Sequence, residues 1–130
     1  MPTTSNDGVD LYYETDGGSG GRGETETVAF VGDAGYGAWQ WGWQHAAVAG
    51  PYRALVADLR GSGRSDAPPG PYSVEDLAGD LAAVLSDAGV RSAHLVGAGL
   101  GGMIALQTAL DTARVDSLAL VGTAASGDGL

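Results

Sequence analysis

From Thr27 onward the chain alternates short apolar runs with segments of helical periodicity, and no other feature constrains its fold so tightly. Thr27 to Val31 (TVAFV) and Tyr52 to Leu59 are apolar at successive positions, which suits strands covered on both faces. Ala93 to Val96 and Val115 to Val121 repeat the pattern. Between them, Trp39 to Val48, Ser73 to Ala88 and Leu100 to Leu110 read as helices. The order β-α-β-α-β-α-β predicts an α/β fold with a mostly parallel sheet and helices on both faces. Ser73 is placed to cap the second helix, with Glu75 and Asp76 in its first turn and Gly89 at its left-handed end. Upstream, Asn6-Asp7-Gly8 is a turn signal, and Val9 to Thr15 alternates like a strand. An N-terminal antiparallel hairpin is therefore expected at one sheet edge. Met1 to Ser5 is short and polar, and Asp16 to Glu26 is a glycine-rich surface loop.

The whole chain, 1–130, suits a single domain, and 44% apolar residues are enough for a core. Without cysteine there is no disulfide, thiolate metal site or thiol nucleophile. No His, Asp and Glu have metal-ligand spacing, so no metal is expected. Sixteen acids against six bases, all arginine, give a net charge of −10. Such a surface repels nucleic acid and anionic membranes, so neither is expected as a partner, while a small-molecule ligand stays compatible with it. No leader and no apolar run of membrane-spanning length are seen, so a cytoplasmic setting is expected. The acid excess resembles proteins of salt-loving archaea. An acidic protein from a GC-rich bacterial genome would show the same preference for Arg, Ala and Gly.

Chemistry concentrates at His94-Leu95-Val96-Gly97-Ala98-Gly99-Leu100-Gly101-Gly102. Gly97 and Gly101 fit the flanks of a G-x-S-x-G nucleophile elbow, a strained strand-to-helix turn. Its centre is Gly99, which tolerates the strain but has no attacking group. Gly97, Gly99 and Gly102 also fit G-x-G-x-x-G, a fingerprint for a flavin or nicotinamide dinucleotide such as FAD or NAD. That fingerprint wants an acid about 20 residues on. The position falls near Gly122, and Asp116 lies at the wrong end of its strand. Close packing of strand on helix is the third use of such glycines.

Two upstream segments bear on the choice. Asp58-Leu59-Arg60-Gly61-Ser62-Gly63-Arg64-Ser65-Asp66 resembles the D-x-R-G-x-G-x-S-D loop after the fourth strand of many α/β-hydrolases, where bracing is the expected role. Val31-Gly32-Asp33-Ala34-Gly35 stands where that superfamily has H-G-x-x-G, with Val31 in place of His. The chain thus resembles the N-terminal part of the α/β-hydrolase superfamily, most closely its small enol-lactonases and esterases. The resemblance implies an ester- or lactone-hydrolase lineage, with Gly99 at the nucleophile position. It places the oxyanion-hole donors at the backbone N–H groups of Asp33 and Leu100. A carboxylate there disfavours negative charge, so Asp33 is read as a base, a polar-ligand contact or a solvent-facing turn residue.

His94 and His45 are read as surface or packing residues. Trp39 and Trp43 share a helical face at i, i+4 spacing, and with Trp41 and Tyr36 they are assigned to the core or to a pocket beside the glycine-rich turn. The resemblance implies that the later strands, the lid, the acid and the catalytic His lie beyond Leu130. The chain alone is therefore expected to lack serine-hydrolase activity, and its fold to be an incomplete α/β-hydrolase fold. Val115 to Val121 would be an open sheet edge, inviting a second copy or a missing C-terminal fragment. A dinucleotide-binding domain and a non-catalytic scaffold remain the alternatives.

Overall fold

A computed structural model describes residues 3–18, 26–33 and 38–124. Among these, strands β1 (Thr3–Asn6), β2 (Val9–Gly17), β3 (Thr27–Val31), β4 (Arg53–Asp58), β5 (Ala93–Ala98) and β6 (Val115–Val121) form one sheet in the order β1-β2-β4-β3-β5-β6. β1 pairs antiparallel with β2, and β2 with β4; the β4-β3-β5-β6 portion is parallel. The expected hairpin and mostly parallel sheet are both present. Asp7 (φ 50°) and Gly8 (φ 81°) make the hairpin turn in the left-handed region the sequence called for.

Three helices connect the parallel strands: α1 (Gly42–Val48), α2 (Val74–Asp87) and α3 (Leu100–Asp111). Strand alternation sends Ala29 and Val31 to one face and Phe30 to the other. The first face carries Leu11, Leu55 and Leu95 against Leu81, Leu85 and Ile104 of α2 and α3. The second carries Phe30, Ala54 and Val56 against Trp41, Val48 and Ala49 around α1. Each large aliphatic side chain buried this way contributes about 1.5–3 kcal/mol of transfer free energy.

α2 shows how local sequence sets an element. Ser73 Oγ accepts the Asp76 N–H, and the Asp76 carboxylate accepts the Ser73 N–H, each at 3.0 Å. This reciprocal capping box satisfies two N–H groups at the start of the helix. At the other end Gly89, at φ 73°, lets the Val90 N–H return to Leu85 O at 2.8 Å.

One sequence expectation needs correction. Trp39 to Val48 is not a single helix: Ala38–Trp41 is a 3₁₀ turn, and the α-helix starts at Gly42. The change of winding breaks the i, i+4 relation of Trp39 and Trp43. Both are solvent-exposed, at 70% and 90%, while Trp41 alone enters the core, its ring centroid 5.2 Å from that of Phe30. No helix among the described residues is long and apolar enough to cross a membrane.

Candidate functional site

The strand order creates the site. From β3 the chain steps to β4 on one side, then crosses back so that β5 lies on the other side of β3. A parallel sheet that switches direction this way opens a crevice at the carboxyl ends of its strands, where ligands bind in open α/β sheets. Val31 pairs with Gly97 in register, so the turns after β3 and β5 meet. The first brings Gly32 and Asp33; the second brings Gly99 and Leu100. Ala34, Gly35, Tyr36 and Gly37, the rest of the glycine-rich turn, lie outside the described residues.

Gly99 links β5 directly to α3, with φ 56° and ψ −123°. Residues with a Cβ rarely adopt that backbone, which is the strained strand-to-helix geometry expected of the segment. The turn is closely packed as well. A Cβ on Gly101 would lie 2.1 Å from Val31 O, so α3 can approach β3 this closely only with glycine there. Close packing is thus a real function of these glycines. Thr123 Oγ1 donates to Gly99 O at 2.5 Å and ties the end of β6 into the same turn.

Asp33 packs against the β5–α3 turn. It is half-buried, and Leu100 N–H donates to its Oδ1 at 2.9 Å. Its own N–H donates to Gln40 Oε1 at 3.1 Å. Both N–H groups singled out from sequence therefore already have partners within the chain. Gln40 and Thr123 were missed, since neither belongs to a motif and Thr123 is far along the chain. Val31, which precedes the turn after β3, is buried in the core.

The D-x-R-G-x-G-x-S-D loop braces, as expected. Asp58 Oδ2 accepts the Arg64 N–H at 3.1 Å, and Ser65 Oγ donates to Asp58 O while accepting the Tyr12 N–H at 2.8 Å. Asp66 exchanges backbone and side-chain bonds with Asp10 at 2.8 Å. Arg60 reaches out of the loop to Asp80 on α2, with Nε and Nη2 each 2.8 Å from a carboxylate oxygen. This pairing raises the Arg60 pKa above its ordinary value, chiefly through the hydrogen bond and against the effect of burial.

A cavity of about 140 Å³ runs beneath these turns, lined by Asp33, Leu59, Tyr72, Leu77, Leu100 and Ile104. Its walls are mostly apolar, with Asp33, Arg60 and Ser62 among the polar residues that line it. A larger, more open concavity of about 1080 Å³ lies at the opposite strand ends, near Glu26, Arg53, Arg91 and Asp116. It is remote from the two turns, and the smaller cavity is the one that borders them. His94, read as a surface or packing residue, is hydrogen-bonded through Nδ1 to Ser117 Oγ at 2.6 Å and through Nε2 to Glu26 Oε1 at 2.9 Å. His45 is half-buried on α1. No cluster of His, Asp and Glu suited to a metal occurs among the described residues.

A family profile described as the alpha/beta hydrolase fold matches residues 34–128, and the chain belongs to this family. Among curated proteins it is 38% identical over 130 residues to "Putative carbamate hydrolase RutD" of Azorhizobium caulinodans, covering 99% of this chain and 47% of that protein. Among solved structures it resembles the enol-lactonase of Burkholderia xenovorans LB400, with a TM-score of 0.87 at 32% identity, covering 95% of this chain and 47% of that one. It also resembles Est816, described as an N-acyl homoserine lactone degrading enzyme, with a TM-score of 0.86 at 34% identity, covering 94% of this chain and 45% of that one. The chain spans about half the length of these relatives.

Proposed function

We propose that this chain comes from an ester- or lactone-hydrolase lineage, that Gly99 stands at the nucleophile position, and that the chain alone has no serine-hydrolase activity. One observation carries the reading. The residue at the apex of the β5–α3 turn, at φ 56° and ψ −123°, has no side chain, and the following N–H is tied to Asp33. Acyl transfer needs a nucleophile and a donor pair for the developing oxyanion. At this turn the nucleophile is absent and the proposed donors, Asp33 N–H and Leu100 N–H, are engaged internally. The lactone-degrading and carbamate-hydrolase relatives support the lineage and, by their chemistry, a ligand with a small carbonyl core. Binding of such a ligand in the cavity beside Asp33 is part of the same proposal.

The dinucleotide alternative through Gly97, Gly99 and Gly102 has less support. A pyrophosphate at the start of α3 would meet the Asp33 carboxylate already on the Leu100 N–H. The test is an assay of the purified chain with p-nitrophenyl acetate, p-nitrophenyl butyrate and a γ-lactone. Rates equal to buffer are expected. Turnover that scales with protein and vanishes on unfolding would overturn the proposal. Flavin fluorescence released on unfolding would favour the dinucleotide reading instead.

A further inference from the structure

Asp33 and Gly99 are linked by two separate measurements. A Cβ built on Gly99 would lie 2.3 Å from Asp33 Cγ and 2.3 Å from each of its carboxylate oxygens. The same carboxylate accepts the Leu100 N–H at 2.9 Å. Non-bonded carbon atoms sit best about 3.5–4.0 Å apart, so no side chain at position 99 can coexist with Asp33 where it stands. We infer that Asp33 and Gly99 are an interlocked pair: the Asp33 carboxylate is a built-in anion that fills the space of a side chain at 99 and holds the N–H an oxyanion would need. This rests on the reading of the β5–α3 turn as the nucleophile position and deepens it.

The physical consequences follow from charge and volume. The carboxylate lies at the N-terminal end of the 12-residue α3, where the helix dipole favours a negative group. A second anion brought by a ligand would face this resident charge and be disfavoured. A serine placed at 99 would push the carboxylate off Leu100 and lose that bond. Restoring the nucleophile alone therefore leaves the turn disrupted, whereas shortening Asp33 at the same time clears both the volume and the N–H.

A double-mutant cycle measures the interlock. Gly99→Ser is expected to lower the folding equilibrium constant in urea titrations at least tenfold more by itself than when Asp33→Ala accompanies it. Equal losses in the two backgrounds would overturn the inference. Amide hydrogen exchange at Leu100, followed by NMR, gives a readout that needs no variant at Gly99. Asp33→Ala should speed exchange at Leu100 at least tenfold, while Asp33→Asn, which keeps an acceptor oxygen, should largely preserve protection. The same exchange rate in wild type and Asp33→Ala would also overturn it. Ester turnover by the wild-type chain would defeat the proposed lack of serine-hydrolase activity while leaving the coupling intact, so the two failures are distinguishable.

Discussion

Asp80 has no solvent contact, yet it accepts hydrogen bonds from Arg60 and from Asn6 Nδ2 at 2.9 Å. Isolated charge at that depth would be strongly destabilising, and the Arg60 fork offsets it. Arg60→Leu is therefore expected to destabilise the fold by about 3–5 kcal/mol, because Asp80 is left uncompensated. Adding Asp80→Leu should recover much of that loss, and urea unfolding of both variants checks it. Tyr13 is also buried, and its hydroxyl donates to Asp87 Oδ2 at 2.6 Å. Burial first, then the hydrogen bond and the negative charge of Asp87, push the phenol from 10.0 up to about 12. A raised pKa means that the fold favours the neutral phenol. The associated stability is complete below pH 10.0 and is lost as pH rises through about 12. Tyr13→Phe should abolish that alkaline slope and remove from an ultraviolet titration a tyrosine that ionises at about 12. Among site residues, Gly99 was legible from sequence because strand, turn and helix signals are local. The inward turn of Asp33 was not, because it depends on Val31 pairing with Gly97 across the sheet.

Elements were legible wherever their signals are local. The α2 cap and its Gly89 stop are read directly from Ser73, Asp76 and Gly89, and the parallel strands from their apolar runs. β1 was legible only through the Asn6-Asp7-Gly8 hairpin turn, because Thr3–Asn6 has no apolar signal of its own; its hydrogen bonds come from pairing with β2. The 3₁₀ turn before α1 was missed because the tryptophan spacing imitates a helical face. The cap itself makes a quantitative claim. Ser73→Ala is expected to cost about 1 kcal/mol in urea unfolding near neutral pH. Asp76 sits below the usual carboxylate range, first through the Ser73 N–H and then through its hydroxyl. The stability from this lowered pKa is present above the ordinary Asp value and lost as pH falls through the lowered one. The gap between wild type and Asp76→Ala should accordingly close on acidification through that range.

At the scale of the whole molecule, two tendencies oppose each other. β6 stands at one end of the sheet and pairs only with β5 among the described strands. Leu120 and Val121 on it are exposed, at 40% and 58%, and Leu110 of α3 at 80%. An apolar strand with an unpaired edge is a template for another chain. The net charge of −10 works against association of identical copies, since each repels the next. Salt separates the two effects. The screening length falls from about 10 Å at 0.1 M to about 3 Å at 1 M, which weakens the repulsion and leaves apolar edge pairing untouched. We propose that the 130-residue chain associates through β6, and that added salt promotes the association. Light scattering should give a mass that rises between 0.1 M and 1 M sodium chloride. Leu120→Lys, which puts a charge on the edge strand, should hold the chain near monomer mass at both concentrations. A wild-type chain that stays monomeric at 1 M salt would show that β6 is not adhesive.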